Sequence, residues 1–166
     1  MKILITGSSG YLGGRLCQYF SEKENHEIIS GTREKSNHLN LLPDIETREI
    51  DWDNLSSIEQ GVSGADAIIH LAGMNAKDCS DDPVAAIKVN ALGTAKLLQA
   101  AIRQNVKRFI YFSTIHVYDN NLRGEITEDK CSTNLHPYAT SHRAGEDIVR
   151  NAHMDGKIEG VVVRLS

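Results

Sequence analysis

The sequence predicts an α/β fold, a doubly wound parallel sheet flanked by helices in three αβα layers. Two observations carry this. Short apolar, β-branched runs recur along the whole chain, and most of them are separated by helical stretches. Several of the runs are apolar throughout rather than alternating, which is how strands covered on both faces read. With 166 residues the chain has the length of about one domain, assigned to 1–166, and 40% hydrophobic against 24% charged residues is an ordinary globular balance.

The predicted strands are Ile3–Thr6, Glu27–Gly31, Arg48–Ile50, Ala67–Leu71, Arg108–Phe112 and Gly160–Leu165. The first strand runs into a glycine-rich turn and then a helix. A later helix has the clearest start: Asp82 is an N-cap residue and Pro83 takes the first helical position. Its apolar positions Val84, Ile87, Ala91, Ala95, Leu98 and Ile102 fall in steps of three and four, one stripe of a helix over 84–104. Val89, Leu92, Leu97 and Ala101 add apolar residues beyond that stripe. Glu34–Asp44 is read as a surface loop. The chain stops at Ser166 at the end of an apolar strand, which suggests the N-terminal portion of a longer protein with its C-terminal substrate part missing.

Composition also excludes. Lys plus Arg is 18 and Asp plus Glu is 22, a net charge of −4, so no basic face for nucleic acid is expected. No apolar run approaches the roughly 18 residues that cross a bilayer, and no signal peptide precedes the first strand, so a cytoplasmic protein with no membrane partner is expected. Cys17, Cys79 and Cys131 are odd in number and show no CxxC spacing, which suggests neither a disulfide framework nor a zinc site. The histidines at 26, 38, 116, 136 and 153 show no ligand spacing, and no metal is expected.

The turn after the first strand reads Gly7-Ser8-Ser9-Gly10-Tyr11-Leu12-Gly13, a GxxGxxG spacing. Glycines there permit a tight turn and bring backbone N–H groups close to a pyrophosphate at a helix N-terminus. A glycine-rich turn without a ligand is the alternative reading, and the position between strand and helix weighs against it.

The chain resembles the extended short-chain dehydrogenase/reductase family, its NAD-dependent epimerase/dehydratase group, which modifies sugar nucleotides on a Rossmann-type sheet. Thr6–Gly13 is similar to TGxxGxxG. Asp51-Trp52 falls where the family places an acid beside the adenine. His70-Leu71-Ala72-Gly73 resembles HLAA, Asn90–Thr94 resembles NxxGT, and Phe112–Tyr118 resembles SSxxVYG. Pro137-Tyr138 opens a PYxxxK-like segment, and Arg164-Leu165-Ser166 resembles the strand at which the family's C-terminal portion begins.

The resemblance implies a bound nicotinamide dinucleotide held by Gly7, Ser9, Gly10, Tyr11, Leu12, Gly13, Arg33, Asp51, Trp52, Leu71, Ala72, Gly73, Asn90, Ser113, Tyr138 and His142. It implies hydride transfer on a nucleotide-linked sugar, with Tyr138 exchanging the proton and Thr114 bonding the reacting hydroxyl. The second strand ends Ser30-Gly31-Thr32-Arg33 with no acid at its tip, and Lys35 and His38 follow Glu34. An arginine there suits a 2′-phosphate, so NADP is favoured over NAD. A solvated loop arginine is the other reading.

The family's lysine, four residues after the tyrosine, is His142 here. A tyrosine titrates near 10, so making it a base near pH 7 takes about 3 units, roughly 4 kcal/mol of anion stabilisation. A lysine is cationic throughout that range, whereas a histidine near 6.5 is mostly neutral at pH 7. Three readings stay open: a working but altered enzyme, an NADP(H)-binding regulatory or scaffold module with little turnover, or a histidine on a solvated helix face. Asn75, Asp78 and Ser80, after the fourth strand, either line the cleft or form a polar surface loop. In the family the 84–104 helix often helps form a dimer. The resemblance therefore implies a homodimer through it, with burial against the sheet as the alternative.

Overall fold

The computed structural model describes residues 1–23, 26–33, 45–119, 121 and 123–166. The expected loop Glu34–Asp44, with Lys35 and His38, lies outside them. Six parallel strands form one sheet in the order β3-β2-β1-β4-β5-β6. They are β1 (Lys2–Thr6), β2 (Glu27–Thr32), β3 (Glu46–Glu49), β4 (Ala67–His70), β5 (Arg108–Thr114) and β6 (Glu159–Leu165). The chain leaves β1 toward one edge and returns at β4 to build toward the other. The topological switch therefore falls between β1 and β4, and ligands bind at the strand ends there in such sheets.

Side-chain alternation splits the core between the two faces of the sheet. Leu4, Ile29, Ile68 and Phe109 face α2 (Leu55–Val62), α5 (Thr94–Arg103) and α6 (Pro137–Met154), against Ile58, Leu97 and Val149. Ile3, Ile5, Ile28 and Ile69 face α1 (Tyr11–Ser21), against Cys17. These are the three layers.

Strand limits differ from expectation by one or two residues in places. β3 spans Glu46–Glu49 rather than Arg48–Ile50. Among the described residues it pairs only with β2, and an edge strand tolerates the charged residues that hid it from an apolar search.

The expected helix over 84–104 is interrupted. After the short α3 (Ala76–Asp81), α4 (Pro83–Ala86) starts as foreseen, with Asp82 Oδ1 accepting from Ala85 N at 2.9 Å. A π-helical segment, Ile87–Gly93, then intervenes before α5. The Thr94 hydroxyl donates to the Asn90 carbonyl at 2.6 Å, a side-chain bond that competes with the helix ladder. A π turn spends an extra residue, so a stripe of period 3.6 cannot run through it. Val84 and Ile87 of the predicted stripe are exposed, as are Val89 and Leu92, whereas Leu97, Leu98 and Ala101 are buried. No helix among the described residues is long and apolar enough to cross a membrane.

Candidate active site

The glycine turn is built by close approach. Gly7 has φ +73°, and a Cβ there would lie 2.7 Å from the Ala72 backbone nitrogen. A Cβ at Gly13 would lie 2.2 Å from the Gly7 carbonyl oxygen, so only glycine lets α1 start this close to the turn. Gly10 N donates back to Gly7 O at 3.0 Å, and Gly10 caps α1 without any side-chain bond to the first-turn N–H groups. Those groups and the helix dipole make an anion site. The donor set fits a pyrophosphate.

Ser8, absent from the expected site, turns inward instead. Its hydroxyl donates to Gly31 O at 3.0 Å and accepts from the Ser30 hydroxyl at 2.8 Å, tying the turn to β2. The motif's spacing names the glycines; nothing local marks Ser8, because its partners lie more than twenty residues away.

A cleft of about 800 Å³ opens along the ends of β1, β2 and β4. Of the expected residues, Gly7, Ser9, Gly10, Arg33, Trp52, Leu71, Ala72 and Gly73 line it, as do Asn75 and Asp78. Tyr11 and Leu12 are exposed at the start of α1, and Gly13 is buried behind the turn. Asp51 is exposed and spends its carboxylate on Asp53 N at 2.9 Å, and it is Asp53 that lines the cleft.

Lys88 and Lys96, eight residues apart and unforeseen, add positive charge to the same wall. Lys88 Nζ lies 3.0 Å from Asp53 and its hydrogen bond holds that carboxyl below its usual range. Lys96 Nζ donates to Trp52 O at 2.9 Å. Their spacing of eight was the available signal.

The second group of expected residues sits deeper, where β5 meets α6. Thr114 is buried and its hydroxyl accepts from His116 N at 3.1 Å. Ser113 is buried too, and its hydroxyl has no hydrogen-bond partner among the described residues.

Asn90 is buried in the π turn. Its side-chain Oδ1 accepts from Met74 N at 2.7 Å and its side-chain Nδ2 donates to the Ser141 hydroxyl at 3.0 Å, clamping the segment after β4 to α6. Tyr138, half-buried on the first turn of α6, lies edge-on to His142 with ring centroids 4.6 Å apart.

His142 is buried, which removes the reading of a solvated helix histidine. Burial pushes its pKa down to about 4, only partly countered by Glu146, so the imidazole is neutral at pH 7. Its Nδ1 is 2.9 Å from the Tyr111 hydroxyl, and its ring faces Gly73 of the cleft wall.

Beneath these lies a second histidine. His70 is fully buried, with Nδ1 2.6 Å from the Thr6 hydroxyl and Nε2 3.0 Å from the Thr94 hydroxyl. Burial, and then the nearby His142, lowers its pKa to about 3.

Residues 3–166 match the family model described as the NAD dependent epimerase/dehydratase family. The dTDP-glucose 4,6-dehydratase of Streptomyces niveus is 29% identical over 179 residues, covering 100% of this chain and 53% of that protein. The D-erythronate dehydrogenase of Haemophilus influenzae is 27% identical over 170 residues, covering 99% and 54%. UDP-glucuronic acid 4-epimerase from Bacillus cereus, solved with UDP-glucuronic acid and NAD, superposes with a TM-score of 0.89 at 24% identity, covering 99% of this chain and 56% of that one. The chain thus spans about half the length of the relatives it matches.

Proposed function

We propose, since this chain belongs to the NAD-dependent epimerase/dehydratase family, that it carries the dinucleotide-binding part of an NAD(P)-dependent epimerase, dehydratase or reductase of the cytoplasm acting on a nucleotide-linked sugar. The observation that carries this is the uncapped α1 N-terminus behind Gly7 and Gly13, opening onto a cleft at the β1/β4 switch point.

In this reading Gly7, Ser9, Gly10, Tyr11, Leu12 and Gly13 hold the pyrophosphate. Arg33, Asp51 and Trp52 take the adenosine end. Leu71, Ala72, Gly73, Asn90, Ser113, Tyr138 and His142 take the nicotinamide end, where the Ser113 hydroxyl still has a bond to give. A bound nicotinamide supplies hydride acceptance and return. Tyr138 exchanges the proton of the reacting hydroxyl, and Thr114 hydrogen-bonds that hydroxyl. His142 orients by hydrogen bonding, because a neutral ring gives Tyr138 no cationic help. The arginine at the end of β2, with no acid at the strand tip, supports NADP over NAD. Exposed Val84, Ile87, Val89 and Leu92 offer an apolar surface for a homodimer through 84–104, which sedimentation of the purified chain tests.

The test is calorimetric titration of the chain with NADPH and, separately, NADH. Micromolar binding that favours NADPH is expected, and binding that favours NADH overturns the choice of cofactor. Binding to neither overturns the reading as a whole.

One observation favours a second reading, a regulatory or scaffold module that binds NADP(H) with little turnover: His142 is neutral where the family keeps a cation. His142→Lys separates the two. Gain of turnover in the full-length protein supports the module, and loss of existing turnover supports the enzyme.

A further inference from the structure

We infer that Tyr111 is a positioning residue for His142: its hydroxyl donates to Nδ1 and leaves the ring as the Nε2–H tautomer, with that hydrogen turned toward the cleft at Gly73 for an oxygen acceptor such as a ribose hydroxyl. The acceptor's identity rests on the dinucleotide reading above; the tautomer does not.

The argument is one of hydrogen accounting. Tyr111 is buried on β5, and a buried phenol has to place its hydrogen. Two groups stand near: His142 Nδ1 at 2.9 Å, and the Thr94 side chain. Thr94 has one hydrogen and spends it on the Asn90 carbonyl at 2.6 Å. Its oxygen therefore accepts from His70 Nε2 at 3.0 Å. That leaves His70 Nδ1 bare to accept from the Thr6 hydroxyl at 2.6 Å.

Thr94 keeps a second lone pair, but the hydrogen bond that the Tyr111 hydroxyl makes, at 2.9 Å, is to His142 Nδ1, and a buried phenol hydrogen needs an acceptor, so that nitrogen takes it. A neutral imidazole with Nδ1 accepting carries its hydrogen on Nε2.

Two further features fit. A Cβ at Gly145 would lie 2.7 Å from the Tyr111 oxygen, so the bare backbone of α6, three residues past His142, is what admits the phenol. On the cleft side, a Cβ at Gly73 would lie 3.7 Å from His142 Cε1 and 3.9 Å from Nε2, so the ring edge packs directly against the cleft wall. The separate run of bonds from Thr6 through His70 and Thr94 ends on the buried Asn90 carbonyl, so it orients His70, while the Tyr111–His142 pair alone ends on the cleft side. His142 thus presents a donor at Gly73 of the cleft wall without a lysine's charge.

The test is a long-range ¹H–¹⁵N spectrum of the chain labelled with ¹⁵N-histidine at pH 7, with His142 assigned from the signals lost in His142→Gln. The expected pattern is a protonated-type Nε2 and a bare-type Nδ1; the reverse pattern overturns the proposal, and this spectrum decides the tautomer without any variant at 111. In Tyr111→Phe, which keeps the ring, the two His142 shifts should move toward each other. Loss of one neutral hydrogen bond to an oriented ring should also weaken dinucleotide binding about three- to tenfold. Unchanged His142 shifts in a folded Tyr111→Phe overturn the role of Tyr111. If the wild-type chain binds no dinucleotide yet shows the Nε2–H pattern, the cofactor reading fails and the positioning stands.

Discussion

Glu146, fully buried on α6, takes both prongs of the Arg164 guanidinium on β6: Nε reaches Oε1 at 2.9 Å and Nη2 reaches Oε2 at 2.6 Å. Arg164 also donates to the Tyr118 hydroxyl and lies over its ring, with Cζ 4.8 Å from the centroid. The pair joins the helix that carries Tyr138 and His142 to the edge strand. Glu146→Gln leaves a largely buried guanidinium without its counter-charge. Breaking one side of such a pair costs about 3 kcal/mol, to be read as a lower midpoint in urea unfolding. An unchanged midpoint would show that the pair does not anchor α6.

Acid should destabilise the chain partly through its buried histidines. The folded pKa of His142 is lowered to about 4 from 6.5, and that of His70 to about 3. Between those values and 6.5 the unfolded chain binds protons that the folded chain refuses, so stability falls as pH falls. Each such proton is worth about 1.4 kcal/mol per pH unit. His142→Gln removes one of them. The slope of unfolding free energy against pH, measured from 6 down to 4, should therefore be shallower in the variant by about that amount. Parallel slopes would place His142 in solvent.

The turn should not accept a methyl group. Gly13→Ala puts a Cβ into the Gly7 carbonyl. Overpacking of this kind costs about 1–3 kcal/mol and shifts the N–H groups that face the cleft. Thermal unfolding should show the loss, and calorimetry should show dinucleotide binding at least about tenfold weaker. Gly64→Ala makes a control, since a Cβ there meets nothing within 4 Å and only the strain of φ +70° remains.

Cofactor choice should move with Arg33, which lines the cleft at the end of β2. A charge-assisted bond to a phosphate is worth about 1.5–3 kcal/mol. Arg33→Ala should therefore lower affinity for NADPH by about ten- to a hundredfold and leave NADH nearly unchanged. Equal losses for both would assign Arg33 to some other role.

Much of the site was legible because its signals are local. Gly7, Gly10 and Gly13 sit between a strand and a helix, and Asp82-Pro83 starts a helix by capping chemistry that needs no distant partner. β3 was misplaced by two residues because an edge strand carries Glu46, Arg48 and Glu49 in place of an apolar run. The stripe over 84–104 failed at Val84 and Ile87 because the π turn changes the period partway along.

The alternation of strands and helices, the glycine turn and the place of His142 four residues after Tyr138 are all readable from the chain's residues. These depend on backbone preference and on neighbours within a turn or two. That His142 is buried and neutral, that Tyr111 from a strand thirty-one residues away holds its Nδ1, and that Ser8 staples the turn to β2 are consequences of long-range packing. Burial and hydrogen-bond partnership are properties of how strands and helices meet, and a residue's charge state follows from them.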